Sequence, residues 1–455
     1  MNKSFKLNFI TIAMAALLLS GCDDAETTIV EQDPIETVEE TDDGYTIESM
    51  GRLAVLSADS SEAAIFDLDD GDLLDTFTLT HDDNTLDTSA SYRFAVIANR
   101  TEDYVGFIDG GLFREDHVEH LHDFEQAPVM SDFELTDSRP THVTAHDGQM
   151  AVFYDGDEDS GTFASVQVIT DADITSENDE LPGIVYDINM HGVAEARGEH
   201  LLSTIRRDDA ETTSATTVLP DHVGVYHFHD DEYELEQTLD VNCPDLHGAS
   251  QNHEFVVFGC TDGILVAEQD GDNYEASKMA NISEVGSLRI GTIYGHEDSE
   301  VFVGIASTHG GPGTLFSINP EANVMEAIDW QPMTDASPIA YAFGFGGEHF
   351  LILDDLGYLT ILSQHEHDGE LELEFEGRID ISEEDVSTMH DGMSFSMTVA
   401  QNGQFAYVAD PIAQHVLQIH IEDMEIEGDI ELDFAPASIT WLGIAEEADD
   451  HDHDH

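Results

Sequence analysis

One feature limits this chain's fold more than any other: short β-branched and aromatic runs that recur along nearly its whole length. Each is bounded by Gly, Asp or Asn, as in RLAVLSA, RFAVIAN, MAVFYDG, FVVFGC, FLILDD and FAYVAD. Runs this short, between turn residues and without helical periodicity, predict many strands and almost no helix. The runs fall into a repeat: an entry strand, an apolar strand, a third strand and a more polar fourth. Entry segments begin near Thr141, Met190, Leu246, Ile290, Ile339 and Met393, in steps of 49, 56, 44, 49 and 54 residues. That is the period of a four-stranded propeller blade. Two further units, at 51–68 and 91–110, bring the expected count to eight. Seven blades remain open if those two units are irregular. The first unit lacks an entry strand, and ASITWLGI at 437–444 looks like a surplus one. The expectation is an all-β, single β-propeller over residues 51–445, closed when the C-terminal strand completes the first blade.

Histidines occupy matching places in consecutive repeats: His142 in PTHVTA, His191 in NMHGVA and His247 in DLHGAS. Entry strands line a propeller's central channel, so equivalent positions in neighbouring blades point toward one axis. Three converging imidazoles would suit Zn²⁺. Equally, each His could simply bond a neighbouring strand. His390, ahead of the last repeat, is a possible fourth ligand. A second group lies in FREDHVEHLHDFE: His117, His120 and His122, in an excursion read as joining the second and third blades. A solvated polar loop is the alternative there. The tail at 446–455 ends in His451, His453 and His455 alternating with Asp, a weak and flexible metal-binding pattern that His365 and His367 repeat on a smaller scale.

Composition narrows the function. The chain has 13 Lys+Arg, 98 Asp+Glu and 24 His, a formal net charge of −85 over 455 residues. So negative a surface repels phosphate backbones and anionic headgroups, which argues against nucleic-acid binding. It also fits an environment of high salt, where self-repulsion is screened. No G-x-S-x-G elbow, H-E-x-x-H or P-loop is present, so no enzymatic reaction is expected. The alternatives to a metal carrier are a scaffold propeller and a metal-dependent propeller hydrolase.

Residues 1–22 read as a signal peptide, with Leu-Ser-Gly-Cys at 19–22 resembling a lipobox that would place a lipid on Cys22. Residues 23–50 hold 11 acids and no Lys or Arg, the composition of a solvated, disordered tether. The expected location is periplasmic and membrane-anchored, with Asp23 and Asp24 leaning toward the inner membrane. Cys243 and Cys260 then remain, 17 residues apart, for a disulfide or for a two-thiolate zinc site.

The stretches at 139–157, 190–204 and 242–266, with the His-rich segment 115–124, resemble the AztD family of periplasmic β-propeller zinc metallochaperones. The most specific element is Cys-Pro-x-Leu-His-Gly followed by a Gly-Cys-x-Asp-Gly turn, here Cys243 to Gly248 and Gly259 to Gly263. The resemblance is good over most of 92–266 and general beyond. It implies a monomeric, non-enzymatic carrier that binds Zn²⁺ and hands it to the solute-binding protein of a zinc ABC importer. It also implies His117, His120, His122, His142, His191 and His247 as ligands, and Cys243–Cys260 as a structural disulfide. One departure stands out. Ala249 occupies a position where the family commonly carries an acid, and Asp245 is the nearby candidate to replace it.

Overall fold

The computed structural model describes residues 44–116, 120–207, 219–308, 313–367 and 370–446. Cys22, most of the acidic tether, His117 and the tail histidines His451, His453 and His455 lie outside the described residues. Eight four-stranded antiparallel sheets form an eight-bladed β-propeller. Blade 3 shows the plan: Pro140–His146 innermost, then Gln149–Tyr154, Ser165–Ile169 and Gly183–Val185. Its second strand is buried almost throughout because both faces meet a neighbouring blade, which makes such strands continuous apolar runs. Outer strands such as Leu73–Thr78 and Glu425–Glu431 are mostly exposed, and the second of these is correspondingly polar.

The core is a ring of apolar layers between blades rather than one central cluster. Val193, Leu202 and Val225 of blade 4 pack on Val256, Phe258 and Leu265 of blade 5. The ring closes as the sequence predicts. Pro436–Leu442 is the innermost strand of blade 1 and pairs antiparallel with Arg52–Ser57, Val55 opposite Ile439. Trp441 seals the seam: fully buried, it donates from Nε1 to the Met50 carbonyl at 2.9 Å and meets Tyr92 edge-on at 5.7 Å.

Three expectations are corrected. The His-rich segment does not join blades 2 and 3. It forms a hairpin, Leu112–Asp116 with Leu121–Glu125, between the third and fourth strands of blade 2. The fourth strand, Val129–Leu135, is half polar on an exposed edge and does not read as a strand from its sequence. In blades 4 and 5 the innermost strands begin at Ala194 and Ala249, so His191 and His247 precede them, while His142 lies within its strand. The packed region also starts before residue 51. Tyr45 donates its N–H to the Leu121 carbonyl, and the Ile47 N–H reaches the Asp123 carboxylate at 2.8 Å, fixing this stretch to the hairpin.

Candidate metal centre

His142, His191 and His247, from consecutive blades 3, 4 and 5, come together at the mouth where the innermost strands begin. One ring nitrogen from each lies within 4.8 Å of the others. The Nε2 atoms of His142 and His191 are 3.4 Å apart. Two nitrogens bound tetrahedrally to one Zn²⁺ at about 2.0–2.1 Å lie about 3.3–3.4 Å from each other. Ring centroids are 5.1 Å apart for His142–His191 and His191–His247, and 5.6 Å for His142–His247.

Hydrogen bonds behind the rings fix their tautomers. His247 Nδ1 lies 2.7 Å from the Gly291 carbonyl, which can only accept, so Nδ1 carries the proton and Nε2 a lone pair. His191 Nδ1 lies 3.0 Å from Asp155 Oδ2, and Arg100 donates to the same oxygen at 2.7 Å. Burial works against ionisation of Asp155, but the bonds from His191 and Arg100 outweigh it and hold the carboxyl below its usual range. This is the arrangement that orients ligating imidazoles and raises their basicity in zinc sites. Burial, reinforced by His191 and His247, lowers His142 from 6.5 to about 4. Burial likewise lowers His247, against the opposing pull of its bond to Gly291. These two rings are therefore held neutral, as ligands must be.

The other sequence candidates fall elsewhere. His120 and His122 belong to the blade 2 hairpin, whose Arg114 pairs with Glu446 at 3.2 Å beyond the end of the last innermost strand. That places the hairpin at the opposite mouth, roughly 15–20 Å away along an innermost strand. His122 stacks on Phe124 with ring centroids 4.8 Å apart. Asp123, beside His122 in the sequence, is buried and gripped by Arg114 at 2.6 and 3.0 Å. His390 is exposed on the approach to blade 8, across the ring from blade 4, and stands apart from the three histidines. Asp245 does not replace the missing acid at 249: it is half exposed and lies 3.4 Å from Arg207 and 3.3 Å from Thr261.

No family model matches the chain. The curated zinc chaperone AztD of Citrobacter koseri is 22% identical over 270 residues, 59% of this chain and 59% of that protein. The chain thus matches about three-fifths of that relative's length. Two structures of C. koseri AztD, one titled as the apo form, match at TM-scores of 0.69 and 0.70 with 19% identity, covering 87% of this chain and 98% and 99% of theirs. The chain is AztD-like in sequence and in fold. The dihydro-heme d1 dehydrogenase NirN matches at a TM-score of 0.55 and 10% identity, covering 88% of this chain and 77% of its own, a likeness of fold alone.

The AztD-like motifs have local physical reasons. A Cβ on Gly192, next to His191, would come within 2.3 Å of Thr204 and 2.5 Å of Phe153. Gly248, next to His247, has φ +74°, and a Cβ there would meet the Gly291 carbonyl at 2.5 Å. Each His-Gly pair thus lets backbone approach closely enough to swing its imidazole inward. The disulfide Cys243–Cys260, Cα–Cα 4.9 Å, ties the turn before His247 to the adjacent strand, and the His247 N–H bonds the Gly259 carbonyl at 3.0 Å. Two-thiolate zinc binding is thereby excluded for this pair.

Asp155, one residue past the strand end at Tyr154, is easily mistaken in sequence for the Asp that ends the matching strands of blades 7 and 8. There Asp354 and Asp410 accept backbone N–H groups of their own turns, at 2.7–3.1 Å. Asp155 faces His191 instead.

His142 also links stability to pH. Between about 6.5 and about 4 the unfolded chain binds a proton that the folded chain refuses, so metal-free stability falls as pH drops through that window. His142→Gln removes this contribution. The urea midpoint of metal-free wild type should fall more steeply than the variant's across the same window; equal slopes would contradict the assignment.

Proposed function

We propose that this chain is an extracytoplasmic zinc carrier. His142, His191 and His247 hold the ion, and the chain passes it to the solute-binding protein of a zinc ABC importer. A lipid on Cys22 keeps the carrier beside the membrane, the inner one by preference, and the carrier works as a monomer. The observation that carries this reading is the convergence of three imidazoles, two of them fixed in the ligating tautomer by Asp155 and Gly291. Likeness to a protein named as a zinc chaperone supports it. So does the donor set, since imidazole suits zinc, whereas oxygen ligands suit Ca²⁺ and Mg²⁺.

Three imidazoles with a free fourth position also suit a zinc-bound hydroxide. The carrier reading is preferred because the carboxylate behind His191, Asp155, has its Oδ2 bonded to both His191 and Arg100. Hydrolysis or hydration activity proportional to bound zinc would replace that reading.

Calorimetric titration with Zn²⁺ tests the site. The channel mouth should take one ion with submicromolar affinity, a binding event that His191→Ala with His247→Ala removes; its persistence in the double variant would sink the assignment. Stopped-flow mixing tests delivery. Zinc-loaded carrier should lose its ion faster to the metal-free solute-binding protein than to a small chelator, and equal rates would mean simple dissociation. For the anchor, Cys22→Ser should move the protein from the membrane to the soluble extracytoplasmic fraction; continued membrane retention would argue against lipid at Cys22.

A further inference from the structure

The third and fourth strands of blade 4, His222–His229 and Glu232–Thr238, carry a second convergence of metal-binding side chains. His227 and His229 are two residues apart and so share a face of the strand. Glu236 joins them through a bulge. The pairing jumps from Val225↔Gln237 to Tyr226↔Leu235, leaving Glu236 as the unpaired extra residue, and bulges of this kind re-aim a side chain. His227 Nδ1 lies 2.6 Å from His229 Nε2, and Glu236 Oε1 is 3.3 Å from the second atom and 3.8 Å from the first. All three donors point at one small volume.

The group is built unevenly. The His227 side chain is only 15% exposed, whereas His229 and Glu236 are 46% and 48% exposed. The His227 ring is held in place by stacking on His200, centroids 4.7 Å apart, and Tyr274 meets His200 edge-on at 5.4 Å. One ligand is thus fixed by packing while two are free to adjust. An ion about 2.0–2.1 Å from both nitrogens needs them roughly 0.7 Å farther apart, a movement open to the exposed His229. His200 and His227 follow or precede the turns at the far mouth, so this group lies on the face opposite His142, His191 and His247.

We propose that His227, His229 and Glu236 form a second metal site, which takes a borderline divalent transition ion of the zinc class. Two imidazole nitrogens and one carboxylate oxygen make a common three-ligand set for zinc, with water free to complete the shell. Because two ligands stand in solvent, the ion exchanges faster here than at the channel mouth. The inference is independent of the carrier reading, since it uses none of the same residues.

The test is binding stoichiometry of the full-length, metal-stripped chain in buffered Zn²⁺, with Co²⁺ absorption as a second readout. His229→Ala with Glu236→Gln changes two exposed side chains and leaves the packed His227 intact. This variant should bind one ion fewer than wild type, and the His191→Ala, His247→Ala variant should keep that ion with an unaltered Co²⁺ spectrum. Wild-type stoichiometry in the rim variant would overturn the proposal. So would an equal loss in His365→Ala with His367→Ala, which would mark nonspecific capture by exposed histidines. If the rim variant loses an ion while the channel variant binds as wild type does, the second site stands and the carrier assignment fails.

Discussion

Everything in this molecule depends on ring closure. A blade buries both faces of its inner strands only when it has a neighbour on each side, so an open row of eight would leave two apolar faces in water. Pairing of Pro436–Leu442 with Arg52–Ser57 removes both ends at once, and Trp441 fills the joint. Closure then imposes a geometry the chain cannot avoid. Every innermost strand starts at one mouth and finishes at the other, and a residue repeated at one position in successive blades is brought to a shared axis. His142, His191 and His247 meet for that reason, although 49 and 56 residues separate them in sequence.

Convergence alone leaves open which nitrogen faces the axis; the surroundings settle the tautomer of two of the rings. The Gly291 carbonyl and the Asp155 carboxylate each take an Nδ1 proton, which turns an Nε2 lone pair inward. His142 is kept neutral by burial among like groups instead. The electrostatic cost of three adjacent imidazoles is thus avoided by never charging them all. The same arrangement leaves a concentrated set of nitrogen lone pairs, for which a divalent cation is the natural partner. Ligand geometry and pH behaviour therefore share one cause.

The repeat was legible because strands such as Phe255–Cys260 are buried on both sides and cannot tolerate polar residues. The three channel histidines were legible for the same reason: they keep one place in that repeat. What stayed hidden lay outside the period. Val129–Leu135 is an edge strand whose polarity resembles a loop. His120 and His122 lie close to His142 in sequence, yet an inserted hairpin carries them to the other mouth. Asp155 was masked by Asp354 and Asp410, which stand one place earlier in the pattern and are used as turn caps. His227 and His229 were concealed within an apolar strand run and its turn, and their partner Glu236 is aligned by a bulge that no sequence period reveals.

The surface charge of −85 and the histidine site place opposite demands on a cation. Acidic side chains gather divalent ions without much choice, and at high salt they are largely screened. Carboxylate oxygens favour Ca²⁺ and Mg²⁺ at least as readily as zinc, so the surface by itself would deliver the wrong ion. At the channel mouth the donor set changes to nitrogen, and Asp155 uses its Oδ2 on His191 and Arg100. Hard cations gain little there, because shedding their hydration shell for three imidazoles is unfavourable. On the carrier reading proposed above, the surface would set how many cations arrive, while the sector formed by blades 3 to 5 would set which one stays.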